Sequence, residues 1–218
     1  LSAASIRTQF SNPINVKIGQ FGSAFIRDFA ATMQVEGQPA PDLNFHTGGY
    51  LFLANTPAQE QVLRENHTVQ RACGADVVLW DAQELSRAFP HLTTDDIRLA
   101  SYGRSGEGWF SNTGLMNGFR AKARAQGAHV ITDEVVAITR TANCVTAVTL
   151  KSGATIQTGT VVNASGPRAA LTARMAGLDV PVEPRKRTVF VIDAATTPEG
   201  SATVNHGRLP LMTDPGGV

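Results

Sequence analysis

Thr160-Val161-Val162-Asn163-Ala164-Ser165-Gly166-Pro167-Arg168-Ala169-Ala170 is the stretch on which the reading of this chain turns. Residues 160–163 read as the end of a strand. Ala164, Ser165 and Gly166 are small residues in a tight turn, where a ligand can approach the backbone closely. Pro167 opens a short helix that ends before Gly177, and proline loses nothing at a first helical position because its missing N–H would be unpaired anyway. A helix start offers free N–H groups and the positive end of a dipole, which suits a phosphate. A nucleotide turn and an ordinary strand-to-helix turn both fit this pattern. The flanking sequence has to decide between them.

The chain has 218 residues, 42% hydrophobic and 17% charged, a globular composition with room for a core. Nineteen basic against 18 acidic residues leave a net charge of +1, so no long-range field for nucleic acid or an anionic membrane is expected. Cys73 and Cys144 read as free thiols, which fits a reducing compartment. The five histidines show no ligand spacing and no CxxC occurs, so no structural metal is expected. No apolar run reaches the ~18 residues of a membrane span. The start lacks a signal-peptide shape. Leu1 stands in what reads as a loop and Asp214-Pro215-Gly216-Gly217-Val218 is a turn, so the chain reads as an internal segment.

Ser11-Asn12-Pro13 reads as a helix start with Asn12 as cap. Ile14, Ile18, Phe21, Phe25, Phe29 and Met33 then form one apolar face of a helix of about five turns, broken at 37–41. A strand follows the pair Gly48-Gly49. Thr56 with Gln59 is a capping box opening a helix that runs to Gly74, and Asp81 with Glu84 caps a shorter one ending near Pro90. Strands are expected at 76–80, 97–102 and 108–110. Asn112 caps a further helix with Leu115, Met116, Phe119 and Ala123 inward and Gly127 as its stop. From 128 the period changes to two, with strands at 129–132, 135–141, 145–150 and 155–163 around the turn Lys151-Ser152-Gly153. A second group of strands is expected at 188–193, 202–205 and 209–212. This order predicts an α+β fold on an antiparallel or mixed sheet. A self-contained dinucleotide fold needs an early strand running into GxGxxG, and none occurs here.

Five stretches occur in a telling order: Ser5-Ile6-Arg7-Thr8-Gln9-Phe10-Ser11; Gly49-Tyr50-Leu51-Phe52-Leu53-Ala54; Leu99 to Gly103 with Gly106-Glu107-Gly108-Trp109-Phe110; 161–167; and Val182-Glu183-Pro184-Arg185-Lys186-Arg187. Together they resemble the D-amino-acid oxidase (DAO) superfamily of FAD-dependent oxidoreductases, which includes glycine oxidase, sarcosine oxidase and dimethylglycine dehydrogenase. Within it the chain is most similar to a mitochondrial branch, with bacterial relatives, linked to respiratory complex I assembly.

The resemblance implies a substrate domain with an antiparallel or mixed β-sheet and flanking helices, plus part of an FAD-binding domain. Residues 1–127 would be mainly substrate domain with a flavin-proximal loop, 128–177 the partial FAD domain, and 178–218 a return to the substrate sheet. The family's GxGxxG cradle would lie outside this segment, which alone is expected to bind FAD poorly and to be inactive. The implied activity is oxidation of the C–N bond of an amino acid or secondary amine by hydride transfer to flavin. Oxygen or an electron acceptor would reoxidise it. The alternative is a non-catalytic assembly or scaffold protein that keeps the fold and binds a protein partner. The implied location is cytoplasmic in a bacterium or mitochondrial in a eukaryote, not secreted. The oligomeric state has no signature.

Carried over by position, Ser5, Ile6 and Arg7 match the loop that passes near the flavin ring. Arg7 is thereby the candidate for substrate-carboxylate or flavin electrostatics, with an exposed loop arginine as the plain alternative. Val135 matches a strand residue whose backbone reads the adenine, with an ordinary core valine as the alternative. Ala164, Ser165 and Gly166 match the turn that approaches the dinucleotide. Arg168 departs from the pattern, since relatives commonly carry an aromatic there. Glu107, between two glycines, reads as a solvated loop carboxylate rather than a general base, because no paired group sits near it in sequence. Trp80 and Trp109 read as packing residues, and Arg185-Lys186-Arg187 as a solvated strand end. No Ser/His/Asp or Cys/His signature argues nucleophilic catalysis.

Overall fold

A computed structural model describes residues 4–186, 188–191, 193 and 209–216. Its contacts form two compact units, Leu1–Ala128 with Ala194–Val218, and His129–Asp193. The first unit opens with a short strand, β1 (Ser5–Ile6), and helix α1 (Pro13–Arg27). Asn12 caps α1 as expected, its Oδ1 accepting the Ile14 N–H at 2.9 Å. The helix ends at Asp28, and α2 (Phe29–Met33) follows as a separate piece. The expected inward face holds at Phe25, Phe29 and Met33, which join one core cluster, and is overturned over the first half of α1. Ile14, Ile18 and Phe21 are 58%, 61% and 74% exposed, whereas Val16, Gly19, Ser23 and Ile26 are buried. Small residues at 19 and 22 let the helix come close to the loop carrying Arg7 and to Ile6, and that close approach selects the buried face.

Strand β2 (Tyr50–Ala54) leads into α3 (Pro57–Ala72), whose capping box pairs Thr56 and Gln59. Then come β3 (Val77–Trp80) and α4 (Ala82–Ala88), the latter capped reciprocally by Asp81 and Glu84. Strands β4 (Leu99–Gly103) and β5 (Gly108–Trp109) precede α5 (Asn112–Ala125). The cap of α5 is Ser111, not Asn112: Ser111 Oγ accepts the Gly114 N–H at 3.0 Å, and Asn112 is the first helical residue. Met116 and Phe119, expected inward, are 55% and 45% exposed, and Gly118 is the buried position, against the Phe29 ring.

The second unit is a meander of β6 (Val135–Thr141), β7 (Cys144–Leu150) and β8 (Thr155–Gln157), all antiparallel. A 3-10 turn at Gly166–Arg168 runs into α6 (Ala169–Met175). Residues 129–132 and 160–163 form no strand, contrary to expectation. A strand exists only where a ladder partner exists, and none of the described residues pairs with them. The expected strand at 188–193 is also absent at 188–191. The strand expected at 202–205 lies outside the described residues, as does Arg187. Arg185 and Lys186 open no strand.

The last element, β9 (Leu211–Thr213), belongs to the first unit and completes a mixed four-stranded sheet of order β3-β4-β2-β9. Its only parallel pair is β2 with β9, among the described residues. Side chains alternate across a sheet. Leu51, Leu53, Val78, Trp80, Ala100 and Tyr102 therefore share one face, which packs under Leu85 and Phe89 of α4 and the loop after it. Full burial of Leu51, Leu85 and Phe89 stabilises the fold by about 1.5–3 kcal/mol each. The opposite face carries Tyr50, Phe52, Ser101, Gly103 and Val77, which oppose one another in register. Val77 closes its end of that face against Val16 and Ala75. Tyr50, Phe52, Ser101 and Gly103 are left to face the loop at 5–9.

Candidate functional site

Glu107 organises the exposed-looking loops of the first unit into one buried polar cluster. It is fully buried, at 0% exposure, so the solvated loop carboxylate expected of its glycine-flanked position is overturned. Its Oε1 accepts the Thr8 backbone N–H at 2.7 Å and the Thr8 hydroxyl at 2.6 Å, and its Oε2 accepts the Gln9 amide at 2.9 Å. The Gln9 amide also donates to the Tyr50 carbonyl at 2.8 Å, while Gln9 Oε1 accepts the Ser101 hydroxyl at 2.7 Å. The cluster thus ties the loop to β2 and β4. Loss of water around the Glu107 carboxylate pushes its pKa up, and the donors of Thr8 and Gln9 and the charge of Arg7 only partly oppose this.

Arg7 is half-buried rather than a free loop arginine. Its guanidinium carbon lies 4.9 Å from the Phe10 ring centroid and 5.4 Å from those of Tyr50 and Phe52. The last two rings stack on each other, 5.4 Å apart at 16°. Such a cation–aromatic arrangement holds the planar fork in place without using its N–H donors. Arg7 Nε is buried and finds no hydrogen-bond partner among the described residues. A buried donor left unpaired costs stability, so the site has hydrogen-bonding capacity to spend on an anion. Ser5 lies two residues before it on β1, exposed and paired with Trp109.

In the second unit, Val135 and Ser165 line one cleft of about 310 Å³ together with Ile138, Val148, Val161 and Arg168. Ala164 and Gly166 flank Ser165 in the turn, both exposed. Gly166 has φ +55°, a left-handed conformation that disfavours a side chain. Asn163 builds the turn: its Oδ1 accepts the Ser165 N–H at 3.3 Å and its Nδ2 donates to the Ala169 carbonyl at 2.8 Å. Thr172 donates its hydroxyl to Ser165 Oγ at 2.8 Å. Arg168 lines the same cleft.

The cluster of Glu107, Thr8, Gln9 and Ser101 was not indicated by the sequence pattern, since its partners stand 92 to 99 residues apart. Asn163 carried the usual signal of an Asx turn two residues before Ser165. Trp80 packs against the core beneath α4, as expected. Trp109 does not pack inward: it is 40% exposed and stacks on His46 at 3.8 Å and 11°. Cys73 and Cys144 are both free. No helix among the described residues is long and apolar enough to cross a membrane.

Residues 2–218 match the DAO family, described as FAD dependent oxidoreductase. FAD-dependent oxidoreductase domain-containing protein 1 of Xenopus laevis is 34% identical over 91% of this chain and 45% of its own length. The Bos taurus protein of the same name is 32% identical over 100% of this chain and 49% of its own length. The chain thus spans about half the length of the curated relatives it matches. Among solved structures, L-proline dehydrogenase from P. horikoshii superposes with a TM-score of 0.70 at 25% identity, over 80% of this chain and 44% of that one. Glycine oxidase from Geobacillus kaustophilus shares the fold, with a TM-score of 0.67 at 22% identity over 82% of this chain and 48% of its own. The chain belongs to the DAO family of FAD-dependent oxidoreductases.

Proposed function

We propose that the protein containing this chain oxidises the C–N bond of an amino acid or secondary amine, and that Arg7 anchors the substrate's carboxylate. The observation that carries this reading is the Arg7 guanidinium, held over three rings with its Nε buried and unpaired. A guanidinium fork matches a carboxylate with two parallel hydrogen bonds. The surrounding rings exclude water and strengthen that pairing. Orienting the substrate by its carboxylate fixes the adjacent C–N bond, which is the protein's share of the work. The neighbouring structures named L-proline dehydrogenase, glycine oxidase and L-amino acid deaminase are named for substrates of this kind.

FAD, the cofactor of the family, supplies the electron acceptor when bound. The residues of the second unit fit part of it. The apolar wall of Val135, Ile138, Val148 and Val161 suits a planar base, and Ser165 and Arg168 at the turn suit phosphate. Val135, Ala164, Ser165 and Gly166 would hold that end of the cofactor. Ser5 and Arg7, in the first unit, match by resemblance the loop that the family places near the flavin.

A second reading, an assembly or scaffold protein that keeps the fold, is favoured by the apolar stripe of Ile14, Ile18, Phe21 and Phe119 left exposed on α1 and α5. Anaerobic mixing of the full-length holoprotein with a panel of simple and N-methyl amino acids separates the two. Bleaching of the flavin by any of them supports oxidation. No bleaching across the panel, with a stable protein partner in pull-downs, supports the scaffold.

A further inference from the structure

We propose that Glu107 is the positioning residue of the Arg7 subsite: by gripping the Arg7–Thr8 peptide, the Thr8 hydroxyl and the Gln9 amide, it sets where the Arg7 guanidinium stands. The proposal rests on the reading of Arg7 as a carboxylate anchor. The peptide that joins Arg7 to Thr8 is held at both ends. Its N–H donates to Glu107 Oε1 at 2.7 Å. Its carbonyl, that of Arg7, abuts Gly19 of α1 so closely that a Cβ at 19 would overlap it. The backbone from which the Arg7 side chain springs is therefore held on two sides.

The chemistry of the grip calls for a carboxylate. Its side-chain hydrogen bonds among the described residues all come from donors: the Thr8 N–H, the Thr8 hydroxyl and the Gln9 amide. An ionised carboxylate is the side chain that offers two acceptor oxygens and no donor. Glutamine at 107 would set its own NH2 against that of Gln9. Turning the Gln9 amide over would relieve this clash but forfeit its bond to the Tyr50 carbonyl. Burying an ionised acid is costly, and a neutral or apolar core would be cheaper if stability alone were at stake. The expense is incurred next to Arg7, whose buried Nε lacks a partner among the described residues. Glu107 is fully buried with its carboxylate taken up by Thr8 and Gln9, so it acts through Arg7.

The test uses the full-length flavoprotein with 15N-labelled arginine. The Arg7 Nε–H signal, assigned by its loss in Arg7→Lys, is followed in Glu107→Gln and in Thr8→Val, which removes only the hydroxyl donor. Acetate binding is followed in parallel by the flavin absorption band. The proposal expects folded variants with flavin bound, an Arg7 signal that loses its ring-induced displacement, and acetate affinity about tenfold weaker in Glu107→Gln. In an Arg7→Lys background Glu107→Gln should weaken acetate no further, which a merely structural role would not give. An Arg7 signal unmoved in both folded variants overturns the proposal, and so does failure of both to fold. If the wild type binds no acetate while the Arg7 signal still moves, the substrate reading fails and the positioning role stands.

Discussion

The carboxylate of Glu107 fills the space that a Cβ on Gly103 would occupy. Gly103 ends β4 on the same sheet face as Ser101, Tyr50 and Phe52, so the absent side chain is what admits the buried acid to that face. Gly103→Ala is expected to destabilise the protein by about 1–3 kcal/mol through overpacking. Glu107→Ala leaves Thr8 and Gln9 donors unpaired and costs a similar amount. Because Glu107→Ala vacates the space that Gly103→Ala needs, and the added methyl fills part of that void, the double variant should lose less than the sum of the two. Urea denaturation of the four proteins checks this, and strict additivity would refute the shared space.

Two carboxylates should bend the pH dependence of stability in opposite directions. Burial raises the Glu107 pKa above its ordinary 4.5, so the folded chain holds this proton more tightly than the unfolded one. Its contribution is fully present below the unfolded value and is lost as pH rises through the raised folded value. Asp76 is held below its ordinary 3.8, chiefly by the hydrogen bond from Arg104 and also by that from Ser105. Its contribution is present above the unfolded value and is lost as pH falls through the lowered one. In denaturation series from about pH 3 to 7, wild type should gain on Glu107→Gln as pH falls and lose its advantage over Asp76→Asn. Slopes of the same sign would contradict the assignment.

How much of this was legible in the sequence depends on how local the cause is. The capping boxes at Thr56 and Asp81, the Asn12 cap and the stop at Gly177 each involve partners a few residues apart, and each stands where its pattern puts it. The inward face of α1 is a tertiary choice. Apolar residues lie on two sides of that helix, and the close approach allowed by Gly19 turns Val16 inward and Phe21 out. Glu107 escapes the sequence pattern for the same reason: two flanking glycines suggest solvent, but Thr8 and Gln9 arrive from 98 to 99 residues away. The strand expected at 160–163 required a neighbour that none of the described residues supplies.

The turn of the second unit makes its own prediction. A Cβ on Gly166 would meet nothing within 4 Å, so any penalty there comes from the backbone at φ +55° alone. Gly166→Ala should cost about 1–2 kcal/mol, and Gly166→Asn less, since asparagine tolerates the left-handed region. Asn163→Ala removes the bonds that shape the turn and should weaken FAD binding by the full-length protein several-fold. FAD titrations that leave Asn163→Ala indistinguishable from wild type would remove this turn from the cofactor site.

Substrate anchoring turns on Arg7, and its most direct measurement is the acetate dissociation constant of the full-length flavoprotein, read from its flavin spectrum in the wild type and in Arg7→Lys. Lysine keeps the charge but loses the two-pronged geometry. The prediction is saturable binding to the wild type and affinity at least about tenfold weaker in Arg7→Lys, with FAD content unchanged. Equal affinity in the two proteins would contradict the carboxylate anchor.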